Sequence, residues 1–268
     1  MNMRVFATCM LTATISLGAI GLASPASATE MMPNYATLPT GWTVDRYDPA
    51  GFSNVGPFEN RSDVLGISIA ASGNVANRGG SFASSFYNTQ GRGYDLAGGV
   101  GSTLTADLFI PTSWGDALNG SRRTDMWAVM SDGTAVTDYP IIGFTNYGGA
   151  ARFRVWDGDL LGGSGDWVNL GNAVNYDDWN TLQIAFTGDS FVYSVNWSVA
   201  YVDTDVNGST NMDRVLMQAY NFGDPAISGA VVNDYTAHWS VPEPASVILL
   251  LTGLLGMNAV RKRARRTG

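Results

Sequence analysis

Residues 179–202 read WNTLQIAFTGDSFVYSVNWSVAYV, and the spacing of their apolar residues decides the fold class. Phe191, Tyr193, Val195, Trp197, Val199 and Tyr201 recur at every second position, with Val192, Ser194, Asn196, Ser198 and Ala200 between them. A period of two, with aromatic and β-branched residues in one phase, is the pattern of a strand that buries one face. Upstream, Leu182, Ile184 and Phe186 alternate with Thr181, Gln183 and Ala185. Gly188-Asp189 between the runs is a two-residue hairpin dipeptide. The stretch is therefore expected to be one antiparallel hairpin whose second arm runs unbroken from Phe191 to Tyr201.

The same alternation extends outward. STLTADLFI (102–110), TDMWAVMS (124–131), PIIGFTN (140–146), ARFRVWD (151–157), RVLMQAY (214–220) and NDYTAHWS (233–240) repeat it, and GWTVDRY (41–47) and DVLGISIA (63–70) supply early strands. That makes about ten to twelve short strands, with 32 glycines and 10 prolines available for turns. No stretch between the termini keeps a 3.6-residue apolar period. The expected fold is all-β, a two-sheet antiparallel jelly-roll sandwich. A run of strands with a W-N-T-L-x-I-x-F hairpin is similar to the concanavalin A-like lectin and glucanase superfamily. Trp179–Asn196 is the part most like its laminin-G-type modules.

The two ends read differently. Arg4, the largely apolar run Val5–Leu22 and the small-residue site Ala26-Ser27-Ala28 make residues 1–28 a signal peptide, with the mature chain starting near Thr29. Residues 29–240 form the β-sandwich ectodomain. At the far end, Pro242-Glu243-Pro244 is followed by the uncharged run Ala245–Val260 and by Arg261, Lys262, Arg263, Arg265 and Arg266. A helix over residues 245–260 would rise about 24 Å, short for a hydrocarbon core of about 30 Å. Local thinning or snorkelling flanks can complete such a span. The basic cluster after it, residues 261–268, would stay cytoplasmic.

In order and terminal position, residues 241–268 resemble the PEP-CTERM sorting signal of Gram-negative bacteria that make exopolysaccharide. The resemblance implies an exosortase-type processing enzyme that cuts near Pro242-Glu243-Pro244. It also implies export across the inner membrane, transient anchoring by a single C-terminal transmembrane helix, and delivery to the cell surface or extracellular matrix.

Charge and cysteine usage narrow the chemistry. The ectodomain holds nine arginines, no lysine and 22 acids, which leaves it at −13 against −8 for the whole chain. That balance argues against nucleic acid and anionic membrane surfaces as partners of the ectodomain. Cys9 falls in the leader, so the mature chain has no thiol nucleophile, no cysteine metal site and no disulfide. A body of this length can bury enough apolar area to hold itself together.

Glycoside hydrolysis needs two carboxyls flanking the scissile bond, and the glucanases supply them as E-x-D-x-x-E on one strand. That pattern is absent: Glu59 is the one glutamate within the ectodomain, and Glu30 lies at its start. Asp157/Asp159 and Asp203/Asp205 have i, i+2 spacing but sit beside glycines and read as turns. A Ser-His-Asp arrangement needs a histidine base, and His238 is the one histidine, out of phase with Tyr235, Ala237 and Trp239. No G-x-S-x-G elbow precedes it.

Asp203, Asp205, Asn207 and Gly208 spell the first half of an EF-hand-type loop, which makes calcium the one cofactor the sequence suggests. Arg214 stands where that loop needs a glutamate, and Asn207-Gly208 reads equally as a turn. Arg122, Arg123, Arg152 and Arg154 lie within 33 residues. Arg152, Arg154 and Trp156 share one face of their strand. Guanidinium forks suit carboxylates or sulfates and an aromatic plane suits a sugar ring, so exopolysaccharide is the partner this face fits. The plainer reading is a solvated face that neutralises nearby aspartates. The expected function is an exported, non-enzymatic surface or matrix protein with no catalytic residue. The alternative is a polysaccharide-active hydrolase or lyase that uses an aspartate pair or an arginine–tyrosine site.

Overall fold

The computed structural model describes residues 29–242. The leader (1–28), Glu243, Pro244, the apolar span 245–260 and Arg261, Lys262, Arg263, Arg265 and Arg266 lie outside the described residues. Among the described residues, no helix is long and apolar enough to cross a membrane.

Two sheets stack face to face, as the alternation predicts. Sheet A runs β14 (Ser198–Asp203), β13 (Phe191–Val195), β12 (Asp178–Phe186), β6 (Ser102–Ile110), β16 (Tyr235–Ser240), β4 (Leu65–Ile69) and β3 (Gly51–Asn54), with β1 (Thr29–Met31) parallel beside β6. Sheet B runs β11 (Asp166–Asn169), β10 (Arg152–Asp157), β9 (Ile141–Thr145), β7 (Arg123–Ser131), β15 (Asn211–Tyr220), β5 (Thr89–Gly99) and β2 (Trp42–Val44), with β8 (Val136–Asp138) paired to β7. Most neighbours are distant in sequence, which is jelly-roll connectivity.

The core forms where the two inner faces meet. Sheet A contributes Leu104, Leu108, Ile184 and Phe186, and sheet B contributes Met126, Phe144, Phe153 and Met217, all fully buried. Each such side chain stabilises the fold by roughly 1.5–3 kcal/mol through the water it leaves behind. Polar tips crossing the core are paired. The Trp239 indole N–H donates to Thr124 Oγ1 at 2.9 Å, and the Tyr235 hydroxyl reaches the Arg123 carbonyl at 2.7 Å. Both ties run from β16 in sheet A to β7 in sheet B.

The hairpin at 179–202 departs from expectation in one respect. Its second arm is two strands, β13 and β14, because Asn196 (φ 50°) and Trp197 (φ 66°) form a two-residue turn that pairs Val195 with Ser198. Positive φ at both central residues is the type I′ geometry that matches strand twist. A register shift then pairs Tyr193 with Tyr201 and leaves Ala200 over. Trp197 and Val199, placed on the apolar face by the simple period, are instead 65% and 64% exposed. β5 shows no such alternation because Gly91 and Gly93 stand where side chains would collide with β15: a Cβ on Gly91 would lie 2.0 Å from the Met217 carbonyl oxygen.

Candidate functional site on the outer face of sheet B

Strand alternation fixes what sheet B turns away from the core. Register places Arg123, Asp125 and Trp127 of β7 beside Leu216 and Gln218 of β15 on one side, and beside Ile141 and Gly143 of β9 on the other. Beyond them come Arg154 and Trp156 of β10 and Trp167 of β11. Trp127, Val129, Ile141 and Leu216 form an apolar floor on this outward face, with Trp156 and Trp167 packed against it.

Cations rest on that floor. The Arg154 guanidinium carbon lies 3.6 Å from the Trp167 ring centroid, and that of Arg123 lies 4.7 Å from Trp167 and 5.0 Å from Tyr220. At the other end of the floor, Arg46 covers Trp127 at 4.6 Å and Phe86 at 4.3 Å. Arg123 donates to Asp125 Oδ2 at 2.6 Å. Arg154, 9% exposed, makes no hydrogen bond or ion pair among the described residues. Desolvation, reinforced by the neighbouring Arg123 charge, holds its guanidinium down at about 9.

The face also carries orphaned polar atoms. Trp127 Nε1 and Arg154 Nε are donors, and Asp125 Oδ1 and Gln218 Oε1 acceptors, all buried and without a partner. Each such group costs about 1–3 kcal/mol while it stays unmade. Glycines leave the room above them: a Cβ on Gly143 would sit 2.3 Å from Asp125 Oδ1, and one on Gly91 2.6 Å from Gln218 Oε1. Donors and acceptors interspersed on an apolar floor suit a ligand whose hydroxyls each donate and accept.

Most, but not all, of the arginines picked out from sequence converge here. Arg123, Arg154 and Trp156 belong to the face. Arg152 stands at its rim, held by the Asn169 side chain at 2.7 Å and the Ala150 carbonyl at 2.8 Å. Arg122 points the other way. It is 7% exposed, packs against Tyr235 at 5.0 Å and donates to the Ser121 and Asn119 carbonyls and to Asn233. Adjacent strand residues face opposite sides, so Arg122 and Arg123 could not both line one surface. Asp125, Gln218 and Tyr220 were missed. Their phase matches that of Arg123 and Leu216, but polar residues in a strand read as ordinary solvated positions.

The expected calcium loop is rearranged. Asp203 meets Asp157 and Asp159 instead of Asn207, and those three carboxylates have oxygens within 4.8 Å of one another. Asp205 accepts from the Asn207 amide N–H at 3.0 Å, and Asn207 Nδ2 donates to Asp138 at 2.9 Å. Burial, with the Asp157, Asp138 and Asp159 charges behind it, pushes the Asp203 carboxyl up to about 6. His238 lies on the outer face of sheet A, stacked on Phe58 at 4.1 Å, and burial keeps its imidazole below the usual range.

No protein-family model matches this chain, and no curated protein sequence matches it. Solved structures similar to it include a glycoside hydrolase family 16 endo-glucanase from Bacteroides ovatus, 11% identical over 74% of this chain and 92% of that one, with a TM-score of 0.47. A Bacillus licheniformis β-glucanase is 16% identical over 76% of this chain and 93% of its own, at 0.40. The Crh5 transglycosylase is 14% identical over 79% and 83%, at 0.41. The expectation of a non-enzymatic protein is corrected on this point: the similar structures named are an endo-glucanase, a β-glucanase and a transglycosylase. At this distance the likeness concerns the fold, and residue roles rest on this chain's own geometry.

Proposed function

We propose that the chain is a polysaccharide-active enzyme whose substrate lies across the outer face of sheet B, and that the substrate is acidic. One observation carries the reading: the Arg154 guanidinium is buried with its Nε–H unpartnered, and the one carboxylate acting on it, Asp125, is already paired to Arg123. A charge so weakly compensated in low dielectric is costly. A carboxylate arriving on the substrate offsets that cost and engages the unpaired Nε–H. Trp156 and Trp167 supply planes for sugar rings, and the orphaned atoms of Trp127, Asp125 and Gln218 await hydroxyls.

The chemistry such a face supports is β-elimination on a uronate. Arg154 and Arg123 neutralise the carboxylate, which makes the proton on the adjacent ring carbon removable. Tyr220, whose ring lies under the Arg123 guanidinium, takes that proton and passes its own hydroxyl proton to the departing O4 oxygen. The C4–O bond breaks as a C4=C5 double bond forms, and the tyrosine ends the step neutral, as it began. This is an arginine–tyrosine site, and it uses one carboxylate, Asp125, to orient Arg123.

Sorting belongs to the same proposal. A leader at 1–28 and a PEP-CTERM-type tail at 241–268 would send the enzyme to the envelope that holds such polymers. An exosortase would be its processing partner.

The test is incubation of the exported chain with polyuronates, with neutral glucans and with the producing cell's own exopolysaccharide. Ultraviolet absorbance of an unsaturated product and new reducing ends are read in parallel. The proposal expects unsaturated ends from an acidic polymer, abolished in Tyr220→Phe with binding retained. New reducing ends without unsaturation would replace elimination by hydrolysis. No depolymerisation of any polymer would overturn the enzymatic reading.

A further inference from the structure

A second constellation lies at the open edge of the sandwich, where β14 of sheet A comes against the end of β10 of sheet B. Asp157, Asp159 and Asp203 place one carboxylate oxygen each within 4.8 Å of the others. Asp138 and Asp205 add their charges to the same region. Among the described residues, no arginine forms an ion pair with any of the five. The Tyr201 hydroxyl donates to Asp157, so the cluster already touches both sheets.

Crowded surface aspartates alone mean little, but two buried atoms here lack partners. Asp159 Oδ2 is shielded from solvent with no donor to hold its charge, and the Asp159 carboxyl lies within hydrogen-bond reach of a second carboxyl, that of Asp205. Tyr193 is 0% exposed and its hydroxyl has no partner. Tyr193 pairs in register with Tyr201, with ring centroids 6.1 Å apart, and the charges acting on its hydroxyl are those of Asp203, Asp138 and Asp157. A buried phenol that faces carboxylates without bonding to one implies a missing acceptor between them. Water on a bound cation supplies that acceptor.

We propose that Asp157, Asp159 and Asp203 hold one divalent cation of calcium's size, which clamps sheet A to sheet B at this edge. The origin of the ligands favours the larger ion. Calcium takes about six to eight oxygens at about 2.3–2.6 Å in flexible geometry, whereas magnesium demands a near-ideal octahedron at about 2.0–2.1 Å. Three carboxylate oxygens within 4.8 Å of one another, brought together from two sheets, suit the more tolerant ion. All three ligands are hard carboxylates, two of them 6% and 7% exposed. Two come from the turn that ends β10 and one from the end of β14. The site borders the Asp205–Asn207 bend, whose Asp205 amide donates to Asp203 Oδ1 at 3.0 Å, and its existence does not depend on the reading of the outer face.

The test uses the exported chain, stripped with a chelator and titrated with calcium chloride, magnesium chloride, or sodium chloride at matched ionic strength. Calorimetry should show one saturable calcium site. Tm should rise by about 5–10 °C at a hundredfold excess over Kd. Asp159→Asn and Asp203→Asn should each abolish both responses. They should also raise the Tm of the stripped protein, since each removes one of several crowded charges, and that rise separates loss of the site from failure to fold. Asp189→Asn, in the β12–β13 turn, should keep the calcium response. Absence of calcium heat, or an undiminished response in either variant, overturns the site. Equal binding and an equal Tm rise with magnesium overturns the assignment of the ion.

Discussion

Replacing Arg154 with methionine separates stability from ligand binding, because the guanidinium harms one and serves the other. Its pKa falls from above 12, usual for arginine, to about 9. At 1.36 kcal/mol per decade, holding this cation in the folded state costs on the order of 4–5 kcal/mol. Stacking on Trp167 at 3.6 Å returns about 0.5–2 kcal/mol. Methionine keeps the apolar stem over the tryptophan and discards the charge. Arg154→Met should therefore stabilise the protein by about 2–4 kcal/mol, or about 4–16 °C in Tm at this size. The same change removes the anchor for a substrate carboxylate, a loss of about 2–3 kcal/mol or 30–150-fold in Kd. Thermal unfolding and calorimetry with an unreactive acidic oligosaccharide measure the two effects. A variant that is less stable, or that binds the acidic oligosaccharide as well as the parent, would refute the reasoning.

Three further outcomes follow from the same geometry. Arg122→Ala should destabilise the fold by about 2–4 kcal/mol in chemical denaturation, because it strips donors from the Asn119 and Ser121 carbonyls and from Asn233, while leaving acidic-glycan affinity unchanged. Trp197→Gly should stabilise by about 0.5–1 kcal/mol, since this position has φ 66° and a side chain that is 65% exposed. Affinity for an acidic oligosaccharide should hold steady up to about pH 8 and decline as pH rises through about 9, where Arg154 loses its proton. The sign for stability is opposite: the unfolded chain keeps that proton to higher pH, so the cost of burying Arg154 is fully present below pH 9 and is relieved above it.

The fold was legible in sequence because alternation survives wherever one face of a strand is buried, as in Leu104–Ile110, Leu182–Phe186 and Tyr235–Trp239. It failed where backbone geometry overrode composition. Asn196 and Trp197 continue the period of two in the sequence, yet both take positive φ and reverse the chain. β5 hides behind glycines chosen for close approach to β15. The site was half legible. Arg152, Arg154 and Trp156 declare a common face through strand phase alone. Their company with Asp125, Gln218 and Tyr220 depends on the non-sequential strand order β10-β9-β7-β15, which no local pattern encodes. For the same reason Asp203 finds Asp157 across the sandwich, whereas sequence spacing pointed to Asn207.

The two outer faces of the sandwich differ in how their polar groups are paired. On sheet A several outward polar groups find partners within the chain. The Trp179 indole donates to the Glu59 carbonyl at 2.9 Å, Arg61 donates to Asp107 at 2.8 Å, and Thr181 donates to the same aspartate at 2.7 Å. Phe58 from the preceding loop stacks on His238 and packs on Phe109, closing the surface. Sheet B leaves Asp125 Oδ1, Trp127 Nε1, Arg154 Nε and Gln218 Oε1 unpaired on a comparable apolar floor. A chain able to seal one face with a loop could seal the other by the same means. Unpaired groups totalling several kcal/mol, gathered on one face, are where local consistency gives way to function. A polymer laid on sheet B would make the bonds that the 55–63 segment makes for sheet A. Binding there should protect the β7 and β15 amides from hydrogen exchange and leave those of β16 unchanged.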